Sequence, residues 1–179
     1  MLSVKILLAV GDDDDRQDLV AALGDVMMVT GPQGPGSALA MRTIQFGRIQ
    51  AAPDLALHLY VIPAQRIAEY LCAILAQDIS GYALVANTGR AEAMSGVCQV
   101  AAILRAKSSA PHIVGVCGDE RAPASVLAWI GVAPDVPVVP VAPGNRESVK
   151  RLLCALLQQI ADWVATQGEP TESVAGGEG

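Results

Sequence analysis

The fold turns on one stretch, Thr43-Ile44-Gln45-Phe46-Gly47-Arg48-Ile49-Gln50-Ala51-Ala52-Pro53-Asp54-Leu55-Ala56-Leu57-His58-Leu59-Tyr60-Val61-Ile62. It holds two strand-like runs, Thr43–Gln50 and Leu55–Ile62, joined by Ala51-Ala52-Pro53-Asp54. Parallel neighbours need a crossover of about a dozen residues or more, so this pair is expected to close as an antiparallel hairpin. On either side lie further short apolar runs: Val4–Val10, Gly81–Asn87, His112–Cys117 and Val136–Val141. Helical spacing is predicted over Arg16–Leu23, Ala64–Ala76, Glu92–Ala106, Ala124–Ile130 and Glu147–Ala165. The last is the clearest, with Val149, Leu152, Leu153, Leu156, Leu157, Ile160 and Val164 at spacings of three and four, and with Asn145 and Ser148 as cap residues. Alternating strands and helices predict an α/β, three-layer fold: a six-stranded, mostly parallel sheet with one antiparallel hairpin between its second and third strands, and helices on both faces.

The 179 residues are 52% hydrophobic but only 3% aromatic, which predicts one domain with an aliphatic core. Its expected span is 1–165, with 166–179 a Gly- and Glu-rich disordered acidic tail. A formal net charge of -6 argues against nucleic acid or an anionic membrane surface as partner, since both require a basic footprint. Cys72, Cys98, Cys117 and Cys154 form no C-x-x-C pair and have no clustered histidines beside them, which argues against a zinc site or a disulfide scaffold. The first ten residues carry no signal-peptide pattern, and no apolar run approaches the roughly 20 residues of a membrane helix. A cytoplasmic protein is expected.

Several strings carry a more specific likeness. Ile44-Gln45-Phe46-Gly47-Arg48-Ile49, followed by Leu57-His58-Leu59-Tyr60-Val61-Ile62-Pro63-Ala64-Gln65, resembles the bacterial MglA-type small GTPases, which commonly read D-[FY]-G-R-I and then L-x-L-[YF]-G-T-P-G-Q. Gly81–Thr88, Asp135–Val141 and Arg146-Glu147-Ser148-Val149 resemble later elements of the same Ras-like plan, so the likeness spans roughly 4–162. It implies a P-loop GTPase-like fold.

The same alignment implies a lost nucleotide site. A phosphate loop reads G-x-x-x-x-G-K-[ST], with backbone amides and lysine on the phosphates and the hydroxyl on magnesium. The matching residues here are Val10-Gly11-Asp12-Asp13-Asp14-Asp15-Arg16-Gln17. Val10 and Asp15 stand for the glycines, Arg16 for the lysine and Gln17 for the hydroxyl ligand. At an effective dielectric of about 20, a like-charge contact at about 4 Å costs up to about 4 kcal/mol, so aspartates in this loop would repel a polyphosphate. The switch-I threonine falls near Ala40 or Met41, the aspartate before F-G-R-I is Gln45, and the switch-II glycine is Ala64. The base-reading N-K-x-D aligns with Cys117-Gly118-Asp119-Glu120, where Glu120 stands for the aspartate, one methylene longer, and the asparagine and lysine are missing.

The resemblance therefore implies a pseudo-GTPase that uses no cofactor, is not an enzyme, and acts in signalling through its surface. MglA-type GTPases bind roadblock-domain dimers through their switch regions. The equivalent residues here are Phe46, Arg48, Pro63, Gln65, Arg66 and Tyr70. Gly11, Asp12, Asp15, Arg16, Gln17 and Glu120 would mark the vestigial nucleotide loop. One competing reading is a weak guanine-nucleotide switch holding GTP or GDP with magnesium through Arg16 and Glu120. Another is an inactive receiver-like domain, with Asp12 and Asp13 as its acidic pair and Leu59 in place of the phosphoacceptor.

Other features take structural readings. Gly31-Pro32-Gln33-Gly34-Pro35-Gly36-Ser37 imitates a phosphate loop but lacks the lysine and reads as the loop before the second strand. Asp12–Asp15 is expected to be a solvated charge run rather than a cation site, since a calcium loop alternates its ligands with spacers. His58 is expected in the core or at an edge, His112 facing solvent, Cys72 and Cys154 buried, and Trp129 and Trp163 in ordinary packing.

Overall fold

The run Leu2–Val10 has branched and aliphatic side chains on both faces, the pattern of a strand covered from above and below, and it forms the central strand β1. In the computed structural model, residues 2–24, 29–30, 44–64, 76–118 and 123–167 are described. The strands are β1, β2 (Val29–Thr30), β3 (Gln45–Ala52), β4 (Leu55–Pro63), β5 (Gly81–Asn87), β6 (His112–Cys117) and β7 (Val138–Pro140). They form one sheet in the order β2-β3-β4-β1-β5-β6-β7. The helices described are α1 (Asp13–Leu23), α2 (Ala91–Lys107), α3 (Pro123–Ile130) and α4 (Arg146–Gln167).

The expected hairpin is β3–β4, antiparallel from Gln45↔Val61 to Ala52↔Leu55, with an irregularity between Gln50 and Ala52. β1 runs parallel to β4 on one side and to β5 on the other, and β6 and β7 continue in parallel. All six expected strands are present; β2 adds a two-residue seventh, antiparallel to β3. The five parallel strands run β4-β1-β5-β6-β7, and the antiparallel β3 and β2 extend the sheet beyond β4, an addition that a five-strand receiver does not have.

Alternation along the strands divides the core in two. Val4, Ile6, Leu8 and Val10 of β1 pack with Leu19 of α1 and with Val149, Leu152, Leu156 and Ile160 of α4. Leu7 and Ala9, with Tyr82 and Leu84 of β5, pack on the other face against Met94, Val97 and Leu104 of α2 and Val126 and Leu127 of α3. The result is three layers, with the carboxyl ends of β1, β5 and β6 at one rim.

Some boundaries differ from the sequence expectation. α1 starts at Asp13, three residues before Arg16, because Asp12 caps it. β7 is shorter than Val136–Val141 because the Val136 amide is used in a turn, bonding Ala133 O at 3.2 Å. α4 runs on to Gln167, past the expected domain end at 165. Both expected caps of α4 are used: Ser148 N donates to Asn145 Oδ1 and Ala142 N to Ser148 Oγ, each at 2.9 Å. The helix expected over Ala64–Ala76, which includes Cys72, lies almost wholly outside the described residues.

Four side chains sit otherwise than expected. Cys154 is exposed, because it falls off the α4 stripe that buries Leu152, Leu153 and Leu156. Trp163 is 37% exposed where the last turns of α4 leave the core, and Trp129 is 44% exposed on the outer side of α3. His112 is half-buried rather than solvent-facing; its ring stacks on Tyr82 at 4.6 Å, and its Nε2 is buried with no hydrogen-bond partner among the described residues. No helix among the described residues is long and apolar enough to cross a membrane.

Candidate functional site

In open α/β sheets, ligands bind beyond the carboxyl ends of the strands, where neighbouring connections diverge. Here that place is the rim where β1, β5 and β6 end. Only Gly11 and Asp12 separate the last residue of β1 from the first of α1. Gly11 N donates to Val85 O at 2.9 Å, tying the corner to β5. A side chain at Gly11 would meet Ala93 O at 2.7 Å and Val97 Cγ2 at 2.8 Å, so α2 packs directly on the backbone of this corner.

Asp12 is extended, 7% exposed, and caps α1: its Oδ1 accepts from Asp14 N at 3.0 Å and from Asp15 N at 3.3 Å. Three more aspartates occupy the first turn of the helix, where the dipole favours negative charge. Each of the four carboxylates has a partner within the protein. Asp12 Oδ2 accepts from Arg90 Nη1 at 2.6 Å, and Asp14 Oδ2 from the same nitrogen at 3.4 Å. Asp13 Oδ1 takes Arg16 Nε at 2.9 Å and Nη2 at 2.8 Å. Asp15 Oδ2 accepts from Asn87 Nδ2 at 2.7 Å and from Cys117 Sγ at 3.5 Å.

Arg16, only 9% exposed, also donates from Nη1 to Gln45 Oε1 at 2.6 Å. The cation expected to face a phosphate is thus held between α1 and β3. Hydrogen bonding to Asp12, and then the Asp12 charge, raise the Arg90 guanidinium further above its ordinary value. Burial first, then the Asp15 charge, push the Cys117 thiol up to about 12, so it is protonated at neutral pH. A cleft of about 440 Å³ opens beside the corner, lined by Asp12, Asp13, Asp14, Arg90 and the start of α2. Among the described residues, the rim sets five carboxylates (Asp12–Asp15 and Glu92) against the two guanidinium groups of Arg16 and Arg90, a local excess of negative charge. Among the described residues, no group of three or more His, Cys, Asp or Glu could hold a metal ion.

No protein-family model matches this chain, and no curated protein matches it. The site is therefore read from its own geometry.

The expected nucleotide-loop residues Gly11, Asp12, Asp15 and Arg16 do converge, but as a tight corner and a helix rather than as a loop. Gln17 is exposed on α1, apart from the rim network, and Glu120 lies outside the described residues. The run Asp12–Asp15 is not simply a solvated charge run, because its carboxylates cap the helix and hold Arg16, Arg90 and Asn87.

Of the expected partner-binding residues, Phe46 and Arg48 share one face of β3, opposite Tyr60 and His58 of β4. Phe46 lies 5.2 Å from Tyr60 and 5.8 Å from His58, ring centre to ring centre, and all three rings are half-buried. Arg48 is exposed. Pro63 does not belong to this surface: it ends β4 beside Val10 and is buried. Gln65, Arg66, Tyr70 and the Gly31–Ser37 loop lie outside the described residues.

Sequence reasoning missed Arg90 and Asn87 at the rim and treated Gln45 only as a lost aspartate. A signal for the first two was present: Asn87 closes the otherwise apolar run of β5 and Thr88-Gly89-Arg90 follows it, and polar residues at the carboxyl end of a parallel strand lie at the ligand-binding rim.

Proposed function

We propose that this protein is a nucleotide-free pseudo-GTPase of the MglA-like kind, a cytoplasmic interaction module in signalling rather than an enzyme. The observation that carries the reading is that all four aspartates at the end of β1 are already partnered within the protein. A polyphosphate would have to displace Arg16 from Gln45 and Arg90 from Asp12, and it would then meet the carboxylates those groups leave behind. The amide of Gly11, a natural phosphate donor in a loop, is spent on Val85.

With the rim's charged groups paired to one another, the candidate surface among the described residues is the β3–β4 face bearing Phe46, His58, Tyr60 and Arg48. Half-buried aromatic rings beside an arginine have the composition of a protein-binding hot spot. The partner class proposed is a protein, with a roadblock-domain dimer as the specific candidate.

Two measurements test this. Titration with fluorescent GDP and GTP, with and without magnesium, is expected to give no saturable binding at hundreds of micromolar. Micromolar binding would overturn the nucleotide-free reading. Phe46→Ala with Arg48→Ala is expected to abolish capture of a roadblock-type dimer from the same cells; capture that survives both changes would refute the surface.

A further inference from the structure

Arg16 makes one contact that the closure of the rim does not require. Its Nη1 reaches 29 residues along the chain to Gln45 Oε1 at 2.6 Å, while Nε and Nη2 rest on Asp13 Oδ1. Gln45 is the first residue of β3 and pairs with Val61, whose side chain lies in the core shared with α1 and α4. Gln45 therefore faces α1, and the next residue, Phe46, faces the opposite side with Tyr60 and His58. In a strand a one-residue slip exchanges the two faces, so an anchor at Gln45 dictates which side Phe46 and Arg48 present.

We propose that Arg16 is a positioning residue for the β3 interaction surface: its guanidinium, seated on Asp13, clamps Gln45 and holds Phe46 and Arg48 in a single register with no bound ligand. This rests on reading that face as the partner-binding surface. An arginine suits the role because its planar guanidinium holds its donors in a fixed fork that spans Asp13 and Gln45, whereas the three donors of a lysine ammonium sit on one point at the end of a flexible stem. Among the described residues, β2 pairs with β3 only at Gln45 and Phe46, so the Arg16 clamp adds a second hold on this end of β3 beside its pairing with β4.

The test is hydrogen exchange of the full-length chain, read on peptides covering 45–49, with peptides from β5 and α4 as internal references. Gln45→Leu removes the acceptor, whereas Gln45→Glu keeps an oxygen in the same place and adds a charge. Gln45→Leu is expected to speed exchange in 45–49 by about tenfold, the scale of one hydrogen bond to a charged group, without changing β5. Gln45→Glu is expected to keep exchange at or below the wild-type rate. If the two variants exchange alike, or if β5 accelerates as much as β3, the clamp is refuted. None of this needs a partner, so it separates the two readings. Loosened β3 with unaffected capture by the Phe46→Ala, Arg48→Ala variant leaves the clamp standing and sinks the surface.

Discussion

Replacing Gly11 with alanine tests whether the β1–α1 corner is a packing joint or the remnant of a ligand loop. The added methyl would stand 2.7 Å from Ala93 O and 2.8 Å from Val97 Cγ2. Ordinary contact begins near 3.4 Å, so α2 must retreat by about 0.7 Å. Neither neighbour can swing aside: one is a backbone carbonyl, and the other belongs to a β-branched side chain held stiffly in a helix. Moving α2 also disturbs the seat of Met94, Val97, Val100 and Leu104, all buried against the sheet. Overpacking of this kind costs about 1–3 kcal/mol, and the rigidity of both neighbours puts Gly11→Ala at about 2–3 kcal/mol. For a chain of this size that is a drop of about 4–12 °C in Tm. Urea unfolding at neutral pH and a thermal melt would measure it. Gly24→Ala is the comparison for backbone strain without crowding: its φ of 73° and ψ of -134° lie outside the left-handed helical region and cost an alanine about 1–3 kcal/mol, while the nearest side-chain atoms are 3.8 Å away, so its loss should not depend on α2. If Gly11→Ala costs no more than about 0.5 kcal/mol, α2 does not rest on the corner and the packing argument fails.

Asp12→Ala is expected to cost about 1 kcal/mol through loss of the α1 cap, while Asp12→Asn keeps an acceptor and costs less than half as much; equal urea midpoints for the two would show that capping is not what Asp12 does. Thiol labelling at pH 8, mapped by mass, is expected to modify Cys154 readily and to leave Cys117 untouched until the protein is unfolded, because burial and Asp15 hold the Cys117 thiol near 12. Burial lowers the His112 pKa below its ordinary value, so the unfolded chain takes up that proton first. The His112 contribution to stability is therefore complete above about pH 6.5 and is lost as pH falls below it, and His112→Phe, which preserves the stack on Tyr82, should flatten that part of the urea-midpoint profile.

The hairpin was legible because connection length is a hard constraint: the linker between Gln50 and Leu55 cannot hold a crossover helix. The parallel strands were legible because continuous apolar runs such as Leu84-Val85-Ala86 have few other places to be. The start of α1 was not, because Asp13-Asp14-Asp15 has no apolar period and its helicity depends on a cap and a dipole rather than on a stripe. β2 escaped notice because two residues carry no periodicity. Pro63 looked like a surface residue by alignment, but the register places it against Val10 inside the sheet. The rim network was the least visible of all. Its decisive bonds join residues 72 and 78 positions apart, Asn87 to Asp15 and Arg90 to Asp12, and only the folded sheet brings them together.

The brevity of the β1–α1 corner also bears on whether this rim could be made to hold a phosphate. A phosphate loop wraps its ligand with several residues of open backbone, and here Gly11 and Asp12 are all that lies between strand and helix. Substituting glycine at Val10 and Asp15, lysine at Arg16 and serine at Gln17 would spell the letters of the motif, but the last three would stand on the first turns of an α-helix, with their amides committed to the helix and its cap. Building such a cradle here would take inserted residues or an unwound first turn, and either would release Arg16 from Gln45. Point substitutions alone therefore leave this corner a joint between strand and helix.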